Sequence, residues 1–236
     1  MENEPDLAHR LEMALTVYQM PHSPYCIPIT QALLACGADF LTIDITPHTR
    51  EEVIMASGGK YYQVPLLTDG GRVIGESGGD SLDVARYVDR KYAKGRLFPK
   101  ALEAANLCLT RYIENEMEGA GFKLADPFYL ATFEDPISRM LMIRHKERAF
   151  GRGCVEAWKR DRKELAARFD ALLESFEMTL GHTPYLLGEM PVYADFALFG
   201  VIGNVTFNGW NKLNPKRTAI AKWRKRMGGF RFATGK

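Results

Sequence analysis

The sequence predicts an α/β domain over residues 14–93 followed by an all-α helical domain over residues 100–236, and three observations carry that expectation. Strand-like and helix-like segments alternate up to residue 93, and everything beyond reads as helix. The charge changes sign between the halves. Residues 1–93 hold seven Lys/Arg against thirteen Asp/Glu, and residues 94–236 hold twenty-four against sixteen. A length of 236 residues also exceeds the usual size of one domain.

Leu15 to Met20 reads as a strand, and Pro21-His22-Ser23-Pro24 ends it. A helix follows, with Ile29, Leu33 and Cys36 on one stripe and Gly37 as its stop. Phe40 to Ile45 is a second strand, so the strand–helix–strand unit implies parallel pairing. Residues 49–56 suit a short helix. Val64 to Thr68 and Arg72 to Gly75 flank Asp69-Gly70-Gly71, the chemistry of a hairpin turn. A helix from about Ser81 to Tyr92 closes the layer, and Lys94 to Pro99 suits a linker. Helical stretches are then expected at 100–120, 136–149, 154–180, 192–207 and 215–227. Their breaks are set at Asp126-Pro127, Asp135-Pro136, Gly151 to Gly153, Gly181 to Pro184 and Asn208-Gly209.

Composition excludes several classes. With 46 % hydrophobic and 25 % charged residues, the chain is neither disordered nor collagen-like. No apolar run reaches the ~18 residues of a membrane span. The acidic start Met1 to Asp6 is unlike a signal peptide, so a soluble, cytoplasmic protein is expected. Cysteines 26, 36, 108 and 154 form no CxxC pair, which argues against a zinc site or a disulfide framework. No metal is expected. The basic runs at Lys159-Arg160, Arg162-Lys163 and Lys222 to Arg226 read as solvated helix faces rather than a nucleic-acid surface.

Three places could carry chemistry. Ser23-Pro24-Tyr25-Cys26 stands where the first strand meets the first helix. A helix N-terminus offers free N–H groups and partial positive charge to an anion. Ser23 either caps that helix or donates to a bound thiolate. Pro28 lacks an N–H, which argues for a helix start nearer Cys26, with Ser23 on the loop. Cys26 is either a buried, inert thiol on the apolar stripe or a reactive one activated by the helix terminus. Val64-Pro65 is either an edge feature or a cis peptide that lets the Val64 backbone pair with an extended ligand. Asp80-Ser81 either caps the next helix or holds the ammonium and carboxylate of an amino-acid-like group, with Glu76-Ser77 as a rival pair. Arg111, Tyr112 and Asn115 either face a cleft or pack, and they are not assigned.

In order and spacing these segments resemble the glutathione transferase superfamily over most of the chain. Ser23 to Cys26 is similar to the glutaredoxin active-site motif with serine in the nucleophile position. Val64-Pro65 resembles the family's Val–cis-Pro, and Asp80-Ser81 with Val84, Tyr87 and Val88 its acidic-Ser motif. Tyr185 to Gly188 and Ala194 to Phe199 resemble its C-terminal folding segment. The chain departs from the pattern in Gly75 to Gly79, which interrupts the hairpin-to-helix junction. Val192 stands where the family has a Ser or Thr cap, and the acidic loop at 126–136 and the basic stretch Arg144 to Arg152, within the 126–153 segment, are unlike the general pattern.

The resemblance implies a thioredoxin-like domain followed by a helical one, and glutathione as co-substrate. Val64, Pro65, Asp80 and Ser81 would bind it, and Ser23 would stabilise its thiolate for attack on an apolar electrophile. A cytoplasmic homodimer with a detoxification role is implied as well. Two alternatives stay open: a glutathione-dependent thiol transferase or reductase using Cys26, and a non-catalytic binding protein on the same scaffold.

Overall fold

β1 (Thr16–Gln19) is an inner strand of a four-stranded sheet ordered β2-β1-β3-β4 in the computed structural model, which describes residues 14–76 and 80–233. β2 (Leu41–Asp44) pairs parallel with β1, Val17 opposite Thr42. That pairing needs a crossover, and α1 (Cys26–Ala35) supplies it. α2 (Glu51–Ala56) lies between β2 and the hairpin. β3 (Leu66–Asp69) runs antiparallel to both β1 and β4 (Arg72–Ile74). Gly70 and Gly71 both take positive φ, as a primed hairpin turn demands.

α3 (Asp83–Val88) continues as a π turn through Ala93. The expected helix start at Ser81 is corrected to Asp83, because the Asp80 carboxylate accepts the Leu82 N–H and holds the entry as a turn. The segment 94–99, expected to link, is packed. Leu97 and Phe98 are buried, the Leu97 N–H donates to Asp89, and the Leu97 carbonyl accepts from Asn106 and Tyr193.

The helical half contains α4 (Glu103–Tyr112), a π turn at Ile113–Met117, α5 (Glu118–Ala131) and α6 (Pro136–Phe150). α7 (Cys154–Arg160), α8 (Arg162–Leu172), α9 (Glu174–His182), α10 (Tyr193–Val205) and α11 (Thr218–Gly229) follow. Two expectations are corrected. The single helix 154–180 is three, stepping at Asp161 and Leu173. No break occurs at Asp126-Pro127, because α5 runs through it to Ala131. Pro127 removes one amide, the partner of the Lys123 carbonyl. Burial of Leu124, Ala125, Asp126, Tyr129 and Leu130 holds the helix despite that loss. The acidic loop thereby shrinks, and Asp135 caps α6 by accepting the Ile137 and Ser138 N–H groups, with Pro136 at the first helical position.

α10 is the axis of the molecule, and most of its residues are buried. Val192 before it carries no acceptor, so half of the usual reciprocal cap is missing. Asp195 gathers its donors elsewhere. Its carboxylate accepts from the Val192 N–H at 3.1 Å, the Leu186 N–H at 3.0 Å and the Trp223 indole at 2.9 Å. One apolar core joins Val17, Leu33 and Leu67 of the sheet layer to Phe196, Ile202 and Trp223 of the helices.

Gly200 brings α10 against the start of α1. A Cβ there would stand 2.4 Å from the Pro24 carbonyl and 2.6–2.7 Å from the Pro28 ring. Asn204, one turn on, donates to the His22 carbonyl at 2.7 Å. Overpacking of this kind typically costs 1–3 kcal/mol. Gly200→Ala should therefore lower unfolding stability by about 1–3 kcal/mol in urea titration. Unchanged stability would show that the approach is loose.

Candidate functional site

Ser23 is buried at the mouth of α1, and its Oγ accepts the Tyr25 and Cys26 N–H groups at 3.3 Å each. The helix begins at Cys26, so Ser23 sits on the preceding loop and Pro28 falls in the first turn. N–H groups there have no intrahelical acceptor, and the proline therefore costs the helix no bond. Two accepted amides leave the Ser23 hydroxyl hydrogen as a donor, with the Cys26 thiol beside it as one acceptor a ligand would have to displace.

The serine lies on a cleft of about 230 Å³ between the halves. Met20, His22, Pro24, Tyr25, Arg50, Gln63 and Val64 line it from the sheet side. Glu118, Phe122, Asp126 and Tyr129 of α5 face them, with Met142, His145, Lys146 and Phe150 of α6. The Val64–Pro65 peptide is cis. Ser23 and Val64 are thus brought to one cavity.

Cys26 is sealed. Its relative exposure is 0 %, and burial pushes the thiol up to about 11, against the pull of the Ser23 hydroxyl beside it. Cys154 is buried, Cys36 partly so, and Cys108 is exposed. Burial, with Lys146 adding to it, lowers His22 to about 4, so its ring is neutral near pH 7. That ring lies 4.0 Å from the Tyr129 ring, tilted by 35°.

Asp80 and Ser81 lie elsewhere, and both are partnered. Arg111 donates to Asp80 Oδ1 at 2.8 Å and to Ser81 Oγ at 2.9 Å. Ser81 in turn donates to the Glu114 carboxylate at 2.9–3.0 Å. The hydroxyl does not cap α3. Burial and then the repulsion of Glu114, Asp80 and Asp83 push Glu76 above the usual carboxylate range. Ser77, the other half of the rival pair, lies outside the described residues. Glu114 lines a small crevice with Pro24, Tyr25 and Glu118, which links this acidic cluster to the cleft.

Sequence reasoning left Arg111 unassigned and passed over the wall of the cleft altogether. Glu118, Phe122 and Asp126 recur at i, i+4 and i+8, as do Met142, Lys146 and Phe150. The first series was legible in principle, but ending the expected helix at residue 120 cut it. Lys146 stands 2.5 Å from Asp126 Oδ2 as an ion pair without hydrogen-bond alignment. Among the described residues no helix is long and apolar enough to cross a membrane.

Comparison with known proteins agrees with this architecture. Residues 17–96 match the glutathione S-transferase N-terminal domain, and residues 156–235 match the glutathione S-transferase C-terminal domain. The chain belongs to the glutathione transferase superfamily. A glutathione transferase from Phanerochaete chrysosporium superposes with a TM-score of 0.73 at 16 % identity, over 94 % of this chain and 99 % of that one. One from Ceriporiopsis subvermispora, in complex with glutathione, gives 0.71 at 19 % identity, over 92 % and 96 %. The β-etherase LigF from Sphingobium sp. strain SYK-6 gives 0.60 at 16 %, over 91 % and 95 %. At these identities the likeness establishes the fold.

The contrast among the thiols is directly measurable. Alkylation of the native protein near pH 7 should label Cys108 and spare Cys26, read by peptide mass spectrometry. Rapid labelling of Cys26 without unfolding would contradict its burial.

Proposed function

We propose that this protein is a glutathione transferase in which Ser23 stabilises the glutathione thiolate for attack on an electrophile held against α5 and α6. The observation that carries this reading is the Ser23 hydroxyl, doubly supported by amides on the cleft while the neighbouring thiol is sealed. The Val64 backbone would pair with the cysteinyl unit, and Arg50 on the same cleft suits a terminal carboxylate. The γ-glutamyl ammonium would be drawn to Glu76, Asp80 and Glu114, which outnumber Arg111. Its carboxylate would take the Ser81 hydroxyl from Glu114.

Magnitudes favour this chemistry. A free thiol has a pKa of about 8.5, so only a few per cent ionises near pH 7. A hydrogen bond to a charged group contributes roughly 1.5–3 kcal/mol, equivalent to ~1–2 pKa units. The N-terminus of α1 adds about 0.3–1 kcal/mol. Together they would make the thiolate a major species at neutral pH, and holding the electrophile beside it supplies further acceleration.

The thiol transferase reading has little support, because Cys26 is neither accessible nor acidic. The non-catalytic reading is favoured by one observation, the prior engagement of Asp80 and Ser81. A homodimer, a cytoplasmic location and a detoxification role belong to the same proposal and rest on the family resemblance.

Ser23→Ala should reduce the kcat of conjugation by roughly 10–100-fold with little change in the KM for glutathione, since the removed bond acts on the thiolate. Steady-state kinetics over a range of glutathione concentrations check this. An unchanged kcat would remove Ser23 from the reaction.

A further inference from the structure

The cleft wall is less apolar than an apolar electrophile requires. α5 and α6 present Phe122, Tyr129, Met142 and Phe150, but interleave three charged residues among them. Two neutralise each other: Lys146 pairs with Asp126, their side chains 20 % and 8 % exposed, and the ammonium also stands 5.4 Å from the Phe122 ring. Such a pair is expensive to bury and contributes no net charge to the cavity.

Glu118 is different. It lies at the first position of α5, half-buried, and lines both the open cleft and the crevice shared with Tyr25 and Glu114. Among the described residues it has neither a hydrogen bond nor an ion pair, although buried carboxyls ordinarily find a partner. It lines the same space as Ser23 and Val64.

We propose that Glu118 is the general acid when the electrophile is an aromatic conjugated carbonyl, whose reaction places negative charge on the carbonyl oxygen. The proposal rests on the conjugation reading above and adds a proton donor to its site. The aromatic lining accepts the ring of such a substrate, and the unpartnered carboxyl meets the oxygen. The protonation state suits the role. Burial pushes the Glu118 carboxyl up to about 7, Lys146 opposes that shift, Asp126 and Glu114 add to it, and Lys123 opposes it weakly. From the other packed elements, Tyr25 before α1 and Tyr193 of α10 face the crevice, and burial keeps both phenols neutral near pH 7. A proton donor works best with a pKa near the operating pH.

The step balances without an outside oxidant or reductant. The thiolate sulfur forms a C–S bond to the β-carbon of the conjugated ketone. The C=C pair shifts toward the carbonyl carbon, and the carbonyl π pair moves onto oxygen. The Glu118 O–H bond breaks as its proton passes to that oxygen, giving an enol that tautomerises to the ketone. Solvent then returns to Glu118 the proton that glutathione released on ionising. A benzylic halide needs no such donor, because displacement at its carbon expels chloride directly and puts no charge on oxygen.

The test compares benzylideneacetone, a conjugated aryl ketone, with benzyl chloride, a benzylic halide, using wild type, Glu118→Gln and Glu118→Asp. For wild type, kcat with the ketone should fall as pH rises through about 7. Glu118→Gln should lose that limb and lower the ketone-to-halide ratio of kcat by about 10-fold or more, in keeping with the share of catalysis a positioned acid supplies. Glu118→Asp should restore part of the ratio and keep a titrating limb. A ratio and pH profile in Glu118→Gln identical to wild type would overturn the assignment while leaving conjugation standing. A wild-type protein that conjugates neither compound would overturn both readings.

Discussion

The architecture of the cleft depends on the absence of a side chain at residue 200. α10 is the buried axis of the helical half, and at Gly200 it approaches the Pro24 carbonyl and the Pro28 ring more closely than any Cβ allows. Asn204 donates to the His22 carbonyl from the same face. The loop that carries Ser23 is therefore positioned by the helical half as much as by its own strand. The chain end strengthens this docking, since Gln31 donates to the Met227 carbonyl at 2.7 Å and the Phe232 N–H donates to Ala35 at 2.7 Å. Relocating α10 would move the serine and the opposite wall together.

Burial then sorts the ionisable groups around the serine. Desolvation disfavours whichever form is charged, so one cause has opposite consequences for different side chains. It silences Cys26 as a thiol and keeps His22 neutral, which makes that imidazole a weak base for the glutathione proton. It lifts Glu118 into the neutral range, where a carboxyl can donate. Pairing with Lys146 offsets only part of the penalty on Asp126, whose carboxyl burial still pushes up. The groups left to the proposed reaction are a hydroxyl and a carboxyl, although a thiol and an imidazole are close by.

The fold was largely legible because its signals are local. The hairpin turn, the Gly37 stop and the apolar stripe of α1 are short patterns with one physical reading each. Ser23, Val64 and Pro65 could be named from their order along the chain. The cleft wall could not, because a proline that usually breaks helices is held inside α5 by burial on both sides. With the helix before that proline expected to end at residue 120, Glu118, Phe122 and Asp126 do not look like one face. The engagement of Asp80 and Ser81 by Arg111 and Glu114 was hidden for another reason: it joins positions more than thirty residues apart, with nothing local to announce it. Segment 94–99 misled similarly, since its glycine and charges resemble a linker while Leu97 and Phe98 anchor it.

The central claim is that the Ser23 hydroxyl makes bound glutathione a thiolate near pH 7. Titrating the ultraviolet absorbance of the thiolate in the wild-type complex with glutathione tests it without any second substrate. An apparent pKa about 1–2 units below that of a free thiol is the predicted result. A pKa equal to that of free glutathione, measured with the site saturated, would contradict it.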